Sequence, residues 1–168
     1  MLLRTARLTL RPQVREDAES LFGILNDAEA MRFWNRPPLA RLAVAEEVVA
    51  GQIAAQDQGL CRYWTLVEDG GVIGSVDLSL IENQSAELGF LLRRDRWGAG
   101  LATEAARAVA DFGLGPMGLA RLAAAALAAN RAARRVLEKT GFALVGTRDA
   151  RLADGRTGAC AFYLRSRR

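Results

Sequence analysis

Arg96-Trp97-Gly98-Ala99-Gly100-Leu101-Ala102-Thr103-Glu104-Ala105-Ala106 decides how this chain is read, because two glycines run straight into small apolar residues at helical spacing. Ala102, Ala105, Ala106 and Val109 fall on one helical face, and Ala86 to Leu92 just upstream reads as a strand. The order is strand, glycine loop, helix. A helix start points unpaired backbone N–H groups outward and adds the positive end of the helix dipole, which together attract an anion. Gly98 and Gly100 let a ligand approach the backbone with no Cβ in the way. The loop is not the dinucleotide Gly-x-Gly-x-x-Gly, since position 103 is Thr, and it lacks the Gly-Lys-Ser/Thr of a P-loop. Taken alone it leaves an ordinary strand-to-helix turn open.

Upstream, Arg62 to Val67 and Val72 to Leu80 flank Asp69-Gly70-Gly71, a strong hairpin signal, and Asn83-Gln84-Ser85 separates the second of these strands from Ala86 to Leu92. Leu8-Thr9-Leu10-Arg11-Pro12 reads as an edge strand stopped by proline. Arg15 to Asn26 then places Ala18, Leu21, Phe22 and Leu25 on one helical face. A loop with Phe33-Trp34-Asn35-Arg36-Pro37-Pro38 leads to a second helix striped by Leu42, Ala45, Val49 and Ile53.

Downstream, the alanines of Leu119 to Ala129 favour helix by propensity, but Gly113, Gly115, Pro116 and Gly118 suit a crossover into another buried strand, which is the assignment adopted. Asn130 caps a helix through Thr140, Gly141 ends it, and a last hairpin runs from Phe142 through Asp154-Gly155 to Leu164. No linker or repeat divides residues 1–168, so the expectation is one α/β (α+β) domain. Its mixed, largely antiparallel sheet should have about six or seven strands with about four helices.

The 168 residues, 51% apolar and 25% charged, are those of a globular protein. Lys139 is the single lysine among 23 basic residues, so the arginine excess reads as coding bias and the net charge of +4 suits a phosphate-bearing ligand without indicating a nucleic-acid binder. With no histidine there is no histidine base, Ser/His triad or histidine-ligated metal. Cys61 and Cys160 suggest neither a zinc site nor a disulfide framework. Arg4, Arg7 and Arg11 interrupt the first residues, which argues against a leader or membrane span and for a cytoplasmic protein.

Three segments extend the glycine loop into a constellation: Ala86-Glu87-Leu88-Gly89-Phe90, then Trp97-Gly98-Ala99-Gly100-Leu101-Ala102-Thr103-Glu104-Ala105, then Asn130 with Arg135-Val136-Leu137-Glu138-Lys139-Thr140-Gly141-Phe142. With the Leu8 to Pro12 start and the terminal Asp154-Gly155 hairpin, the chain resembles the GNAT superfamily of N-acetyltransferases, and within it the branch that acetylates ribosomal-protein N-termini. The resemblance implies a bacterial cytoplasmic enzyme with acetyl-CoA as co-substrate and no metal, whose strands splay at the cofactor site. It implies that the 98–103 loop grips the pyrophosphate, and that the pantetheine arm lies between the 86–92 and 119–129 strands. Phe90, Leu91, Leu92, Arg93, Arg94, Arg96, Trp97, Gly98, Ala99, Gly100, Leu101, Ala102, Thr103, Asn130 and Arg135 are then the cofactor-binding residues. The acceptor side falls to Phe33, Trp34 and Trp64. The resemblance leaves the amine as that of a peptide N-terminus, a ribosomal protein among the candidates, or of a small molecule, and a homodimer is compatible with it.

Three departures bear on mechanism. Asp95 stands at the motif's first position, where an acid suits a phosphate poorly; Leu137 stands where many members carry a tyrosine acid; and Ala133 stands where the branch often has serine. A thiol with pKa about 8.5 can leave as thiolate when a helix N-terminus or water stabilises it. The amine still has to be neutral to attack, and without histidine a carboxylate is the remaining base. Glu87, on the cofactor strand, is the first candidate, with Asp77 second and Asn130 as a partner of the cofactor arm. The alternative is a coenzyme A-binding regulatory module with little or no turnover, which Leu137 and Ala133 would suit.

Overall fold

The structure is a computed structural model and describes residues 1–34, 36–151, 155 and 157–167. Its strands are β1 (Leu3–Arg4), β2 (Thr9–Pro12), β3 (Arg62–Glu68), β4 (Gly71–Glu82), β5 (Ser85–Leu92), β6 (Arg121–Leu127), β7 (Ala143–Arg151) and β8 (Thr157–Ser166). The helices are α1 (Asp17–Leu25), α2 (Ala28–Met31), α3 (Leu42–Asp57), α4 (Leu101–Leu114) and α5 (Arg131–Lys139). The strands form one sheet in the order β1-β2-β3-β4-β5-β6-β8-β7.

Two tight turns build the centre of that sheet. Asp69 and Gly70 sit at φ 48° and 81°, and Asn83 and Gln84 at 48° and 57°. Paired positive φ values give the turn whose twist matches antiparallel strands, so β3, β4 and β5 form a meander. From β5 the chain crosses over through α4 and returns as β6, parallel to β5. Every other pairing is antiparallel.

Strand alternation divides the apolar residues between two faces. Trp64, Leu66, Val76, Leu78, Leu88 and Leu122 pack with Leu101, Ala105, Ala106, Val109 and Phe112 of α4. A smaller cluster joins Leu21, Ile24, Met31, Ala45 and Val49 of the first three helices to Leu91 of β5. Each large side chain so buried contributes about 1.5–3 kcal/mol. Asp17 ties the beginning of the chain to this frame: it accepts bonds from both terminal nitrogens of Arg11, from the Thr65 hydroxyl at 2.6 Å and from the Val14 amide at 2.9 Å. Burial pushes its carboxyl up, but these donors outweigh burial and hold it below the ordinary carboxylate range.

Among the described residues the sheet has eight strands rather than six or seven, because β1 is only two residues long and carries no periodicity. It pairs with β2, so Leu8 to Pro12 does not form the edge. The expected Arg15–Asn26 helix is shorter, since Asn26 and Asp27 lead into α2, where Asp27 caps the Glu29 and Ala30 amides. With the four-residue α2 the helices number five among the described residues. Leu119 to Ala129 does contain a strand, β6, despite its alanines: the parallel and antiparallel partners on either side outweigh helix propensity. Asp154 of the last hairpin lies outside the described residues, as does Asn35.

Candidate active site

The parallel ladder between β5 and β6 holds for only three pairs, Ser85–Arg121, Ala86–Leu122 and Glu87–Ala123. Beyond it Leu88 to Leu92 and Ala124 to Leu127 diverge, while β6 stays paired to β8 as far as Leu127. A bulge in β4, where Leu80 takes φ 50°, shifts the register opposite this point. The result is a cleft of about 610 Å³ that runs between the separated strands from the glycine loop to Phe33 and Trp34. Strand edges freed in this way offer backbone groups to an amide-bearing ligand.

At one end, Gly98 and Gly100 adopt φ 78° and 80°, and α4 starts at Leu101. Trp97 N donates to Arg94 O and Glu104 N to Gly100 O. Among the described residues, the intervening amides, Gly98 through Thr103, find no acceptor. That row of unpaired donors at a helix start suits an anion. Trp97 braces it by donating its indole N–H to Leu92 O at 2.8 Å.

At the other end the chemistry belongs to side chains. Glu87 lines the cleft with Phe33, Trp34 and Asn130. Asp77 pairs with Gly89 across the β4–β5 ladder, and its Oδ1 lies 2.6 Å from where a Cβ on Gly89 would stand. The missing side chain of Gly89 is what admits this carboxyl. Only 9% of Asp77 is exposed. Burial pushes its carboxyl up to about 7; the Ser79 hydroxyl opposes that rise and the nearby Glu87 adds to it. Tyr63 faces Asp77 from β3, and burial, then the Asp77 charge, raises its phenol. Asn130 caps α5 by accepting the Ala133 amide at 3.1 Å.

Residues 7–143 match the family described as acetyltransferase (GNAT) domain. The chain belongs to the GNAT acetyltransferase family. The N-acetyltransferase p20 of Bacillus licheniformis is 31% identical over 159 residues, covering 92% of this chain and 89% of that protein. Spermidine N(1)-acetyltransferase of Escherichia coli K12 is 29% identical over 139 residues, covering 82% and 73%. In fold, the RimL ribosomal L7/L12 alpha-N-protein acetyltransferase in complex with coenzyme A superposes with a TM-score of 0.91 at 18% identity, over 99% of this chain and 98% of that one. This GNAT chain is thus an acetyl-CoA-dependent N-acetyltransferase. Its unpaired loop amides suit a pyrophosphate, and the freed edges of β5 and β6 suit the amide-bearing arm of the co-substrate.

The residues expected at the site of this acetyltransferase divide clearly. Phe90, Leu91, Leu92, Arg96, Trp97, Gly98, Gly100, Leu101, Ala102, Thr103, Asn130 and Arg135 line the cleft, as do Glu87, Phe33 and Trp34. Arg93 and Arg94 do not: Arg93 grips Asp95 with Nε at 2.6 Å and Nη2 at 3.1 Å, and Arg94 Nε lies 3.4 Å from Asp27. Asp95, unsuited to a phosphate, thus serves as a partner for arginine. Arg96 lines the cleft but is also held, 3.0 Å from Glu68. Ala99 does not line it; its carbonyl accepts from Arg7 at 2.8 Å.

Trp64 is a correction. It is 2% exposed on the α4 face, stacks edge-on against Phe112 and donates its indole N–H to Met1 O, so strand parity sends it away from the acceptor end. Asp77 lies beneath the cleft wall and is not part of its lining. Neither Tyr63 nor Tyr163 lines the cleft, and Tyr163 is occupied by Arg134 at 3.0 Å and Glu138 at 3.1 Å. Arg7, far upstream, does not line the cleft but reaches the loop behind it, a contact that no motif in the sequence signals. Cys160 also lines the cleft, and both cysteines are free thiols.

Proposed function

We propose that this acetyltransferase transfers an acetyl group to a primary amine, a protein N-terminal α-amine or a small-molecule amine, by direct attack in a ternary complex with Glu87 as the base. One observation carries the reading: Glu87 stands on β5 in the same cleft as the row of unpaired loop amides and shares it with Phe33 and Trp34. Acetyl-CoA supplies an acetyl thioester whose thiol, with pKa about 8.5, departs without a strong acid.

The amides of Gly98 to Thr103 bind the pyrophosphate, and Arg96 and Arg135 add positive charge at the cleft. Phe33 and Trp34 close the acceptor end, where they exclude water around the amine. Glu87 takes one proton from the ammonium directly or through water, and the freed nitrogen lone pair forms the C–N bond at the thioester carbonyl as the C–S bond breaks; the second nitrogen proton passes to the departing thiolate or to water. The N-terminus of α5 favours that developing negative charge. No tyrosine acid is required, which fits Leu137, a core residue of α5.

Acceptor choice separates two named relatives, one acting on spermidine and one on a protein α-amine. A screen of peptides, aminoglycosides, polyamines and amino acids for acetyl-CoA-dependent thiol release tests the proposal. Release with at least one amine, and acetylated amine in the product, is the expected result. Calorimetric binding of coenzyme A with no release on any amine would leave a binding module in its place.

A further inference from the structure

Arg7 sits in the turn between β1 and β2, more than ninety residues from the glycine loop it touches. Its Nη1 donates to Ala99 O at 2.8 Å, and its Nε donates to Oε2 of Glu104 at 2.8 Å. Its own backbone amide donates to Oε1 of the same carboxylate at 2.9 Å. Glu104 lies in the first turn of α4, and its amide bonds Gly100 O. Burial raises the Glu104 carboxyl, but bonds from Thr5 and Arg7 outweigh it and hold the group below its ordinary range, so the pair stays charged. Nearly half of the Arg7 side chain is exposed, and a pair that open adds little to stability. What it does is orient.

In a trans peptide the carbonyl of one residue and the N–H of the next point in opposite directions. With Ala99 O drawn to Arg7, the Gly100 N–H must point away from Arg7, and Gly100 lines the cleft. Gly100 has no Cβ, so the peptide before it can flip with little steric resistance. The flipped form would present a carbonyl oxygen where a phosphate has to sit.

We propose that Arg7 is a positioning residue for coenzyme A: by pinning the Ala99–Gly100 peptide it aims the Gly100 amide at the pyrophosphate, and Glu104 holds Arg7 in place. This rests on the reading of the 98–103 loop as the pyrophosphate site. It separates Arg7 from Arg93 and Arg94, whose acids divert them elsewhere.

Calorimetry with coenzyme A and with pantetheine, which shares the arm but carries no phosphate, tests it on the full chain. The wild type should prefer coenzyme A. Arg7→Ala should weaken coenzyme A binding by about tenfold to a hundredfold, the range for one hydrogen bond to a charged group, and leave pantetheine within about twofold. In turnover, KM for acetyl-CoA should rise while kcat at saturation holds. Arg7→Lys keeps the charge and the backbone bond to Oε1, but one ammonium replaces the guanidinium nitrogens that reach Ala99 O and Oε2 of Glu104 separately, so it should restore only part of the preference. Equal losses for both ligands, an unchanged affinity for coenzyme A, or full rescue by lysine would overturn the proposal. If Arg7→Ala does not fold, Arg7→Lys decides: an intact preference overturns the proposal, and a reduced one supports it. A wild type without preference would remove the loop reading itself.

Discussion

The two ends of the cleft are built by different means. The loop end is made of backbone: unpaired amides from Gly98 to Thr103, a helix start, and a brace of Arg7, Glu104 and Trp97 behind them. Its nearby arginines are largely neutralised by Asp95, Asp27 and Glu68. The acceptor end is made of side chains brought from separate strands and helices, with Glu87 and the buried Asp77 lacking any cation within ion-pair distance among the described residues. A backbone site tolerates variation in side chains, whereas a side-chain site is remade by each substitution. That contrast gives a physical reason for one family to keep its co-substrate and vary its acceptor.

The largest effect should come from the acceptor end. Glu87→Gln keeps size and hydrogen bonding but cannot take a proton, so turnover should fall by about 10²–10⁴ while acetyl-CoA still binds. The deficit should shrink as the pH is raised and the amine deprotonates unaided. It should also be smaller for an α-amine, pKa about 7.7–8.0, than for a lysine-type amine near 10.4. A wild-type rate in mildly acidic buffer, or a deficit independent of pH, would make Glu87 structural and pass the proton to Asp77, to water or to no base.

Next comes the loop end. A ligand that binds only the folded state adds about 2.7 kcal/mol at 100 times its dissociation constant, so acetyl-CoA should raise the melting temperature of the wild type. Gly100→Asp adds a carboxylate beside the loop amides, in backbone at φ 80° that favours glycine, with Arg7 Nη2 3.6 Å from the new Cβ position, so acetyl-CoA should shift its melting temperature less. A folded Gly100→Asp protein with an undiminished thermal shift would dissolve the contrast between the ends.

A smaller effect belongs to Asp77. Its folded pKa of about 7 exceeds the ordinary value, so the folded protein holds this proton more tightly than the unfolded chain. Stability is fully present below the ordinary carboxylate pKa, falls as pH rises toward 7, and levels off above. Asp77→Asn should abolish that slope and be the more stable form in mildly alkaline buffer, as denaturant melts across this pH range would reveal. A slope that persists in the variant would mean that some other group titrates.

Asn130 gives the finest distinction, because it caps α5 and lines the cleft at once. Asn130→Ala should cost about 1 kcal/mol of stability, and Asn130→Ser much less. We expect serine to spare stability but lower activity. Full turnover in Asn130→Ser would leave the cap as its whole role.

Much of this molecule is written locally. Asp69-Gly70 and Asn83-Gln84 dictate their hairpins through turn geometry, Gly98 and Gly100 permit backbone that other residues resist, and the α4 stripe names its own buried face. Such features depend on neighbours in sequence, so the loop end is legible in the residues alone. Trp64 and Asp77 are not, since a strand residue's face follows from register and bulges rather than from its own identity. β1 escapes a sequence reading because two residues carry no period. Only the tertiary structure could bring Arg7 onto Ala99, lay the Asp77 carboxyl over Gly89 and divert Arg94 to Asp27. Each of these is a meeting of segments apart in sequence, and the free energy of such a meeting is set by packing around it rather than by the residues that take part.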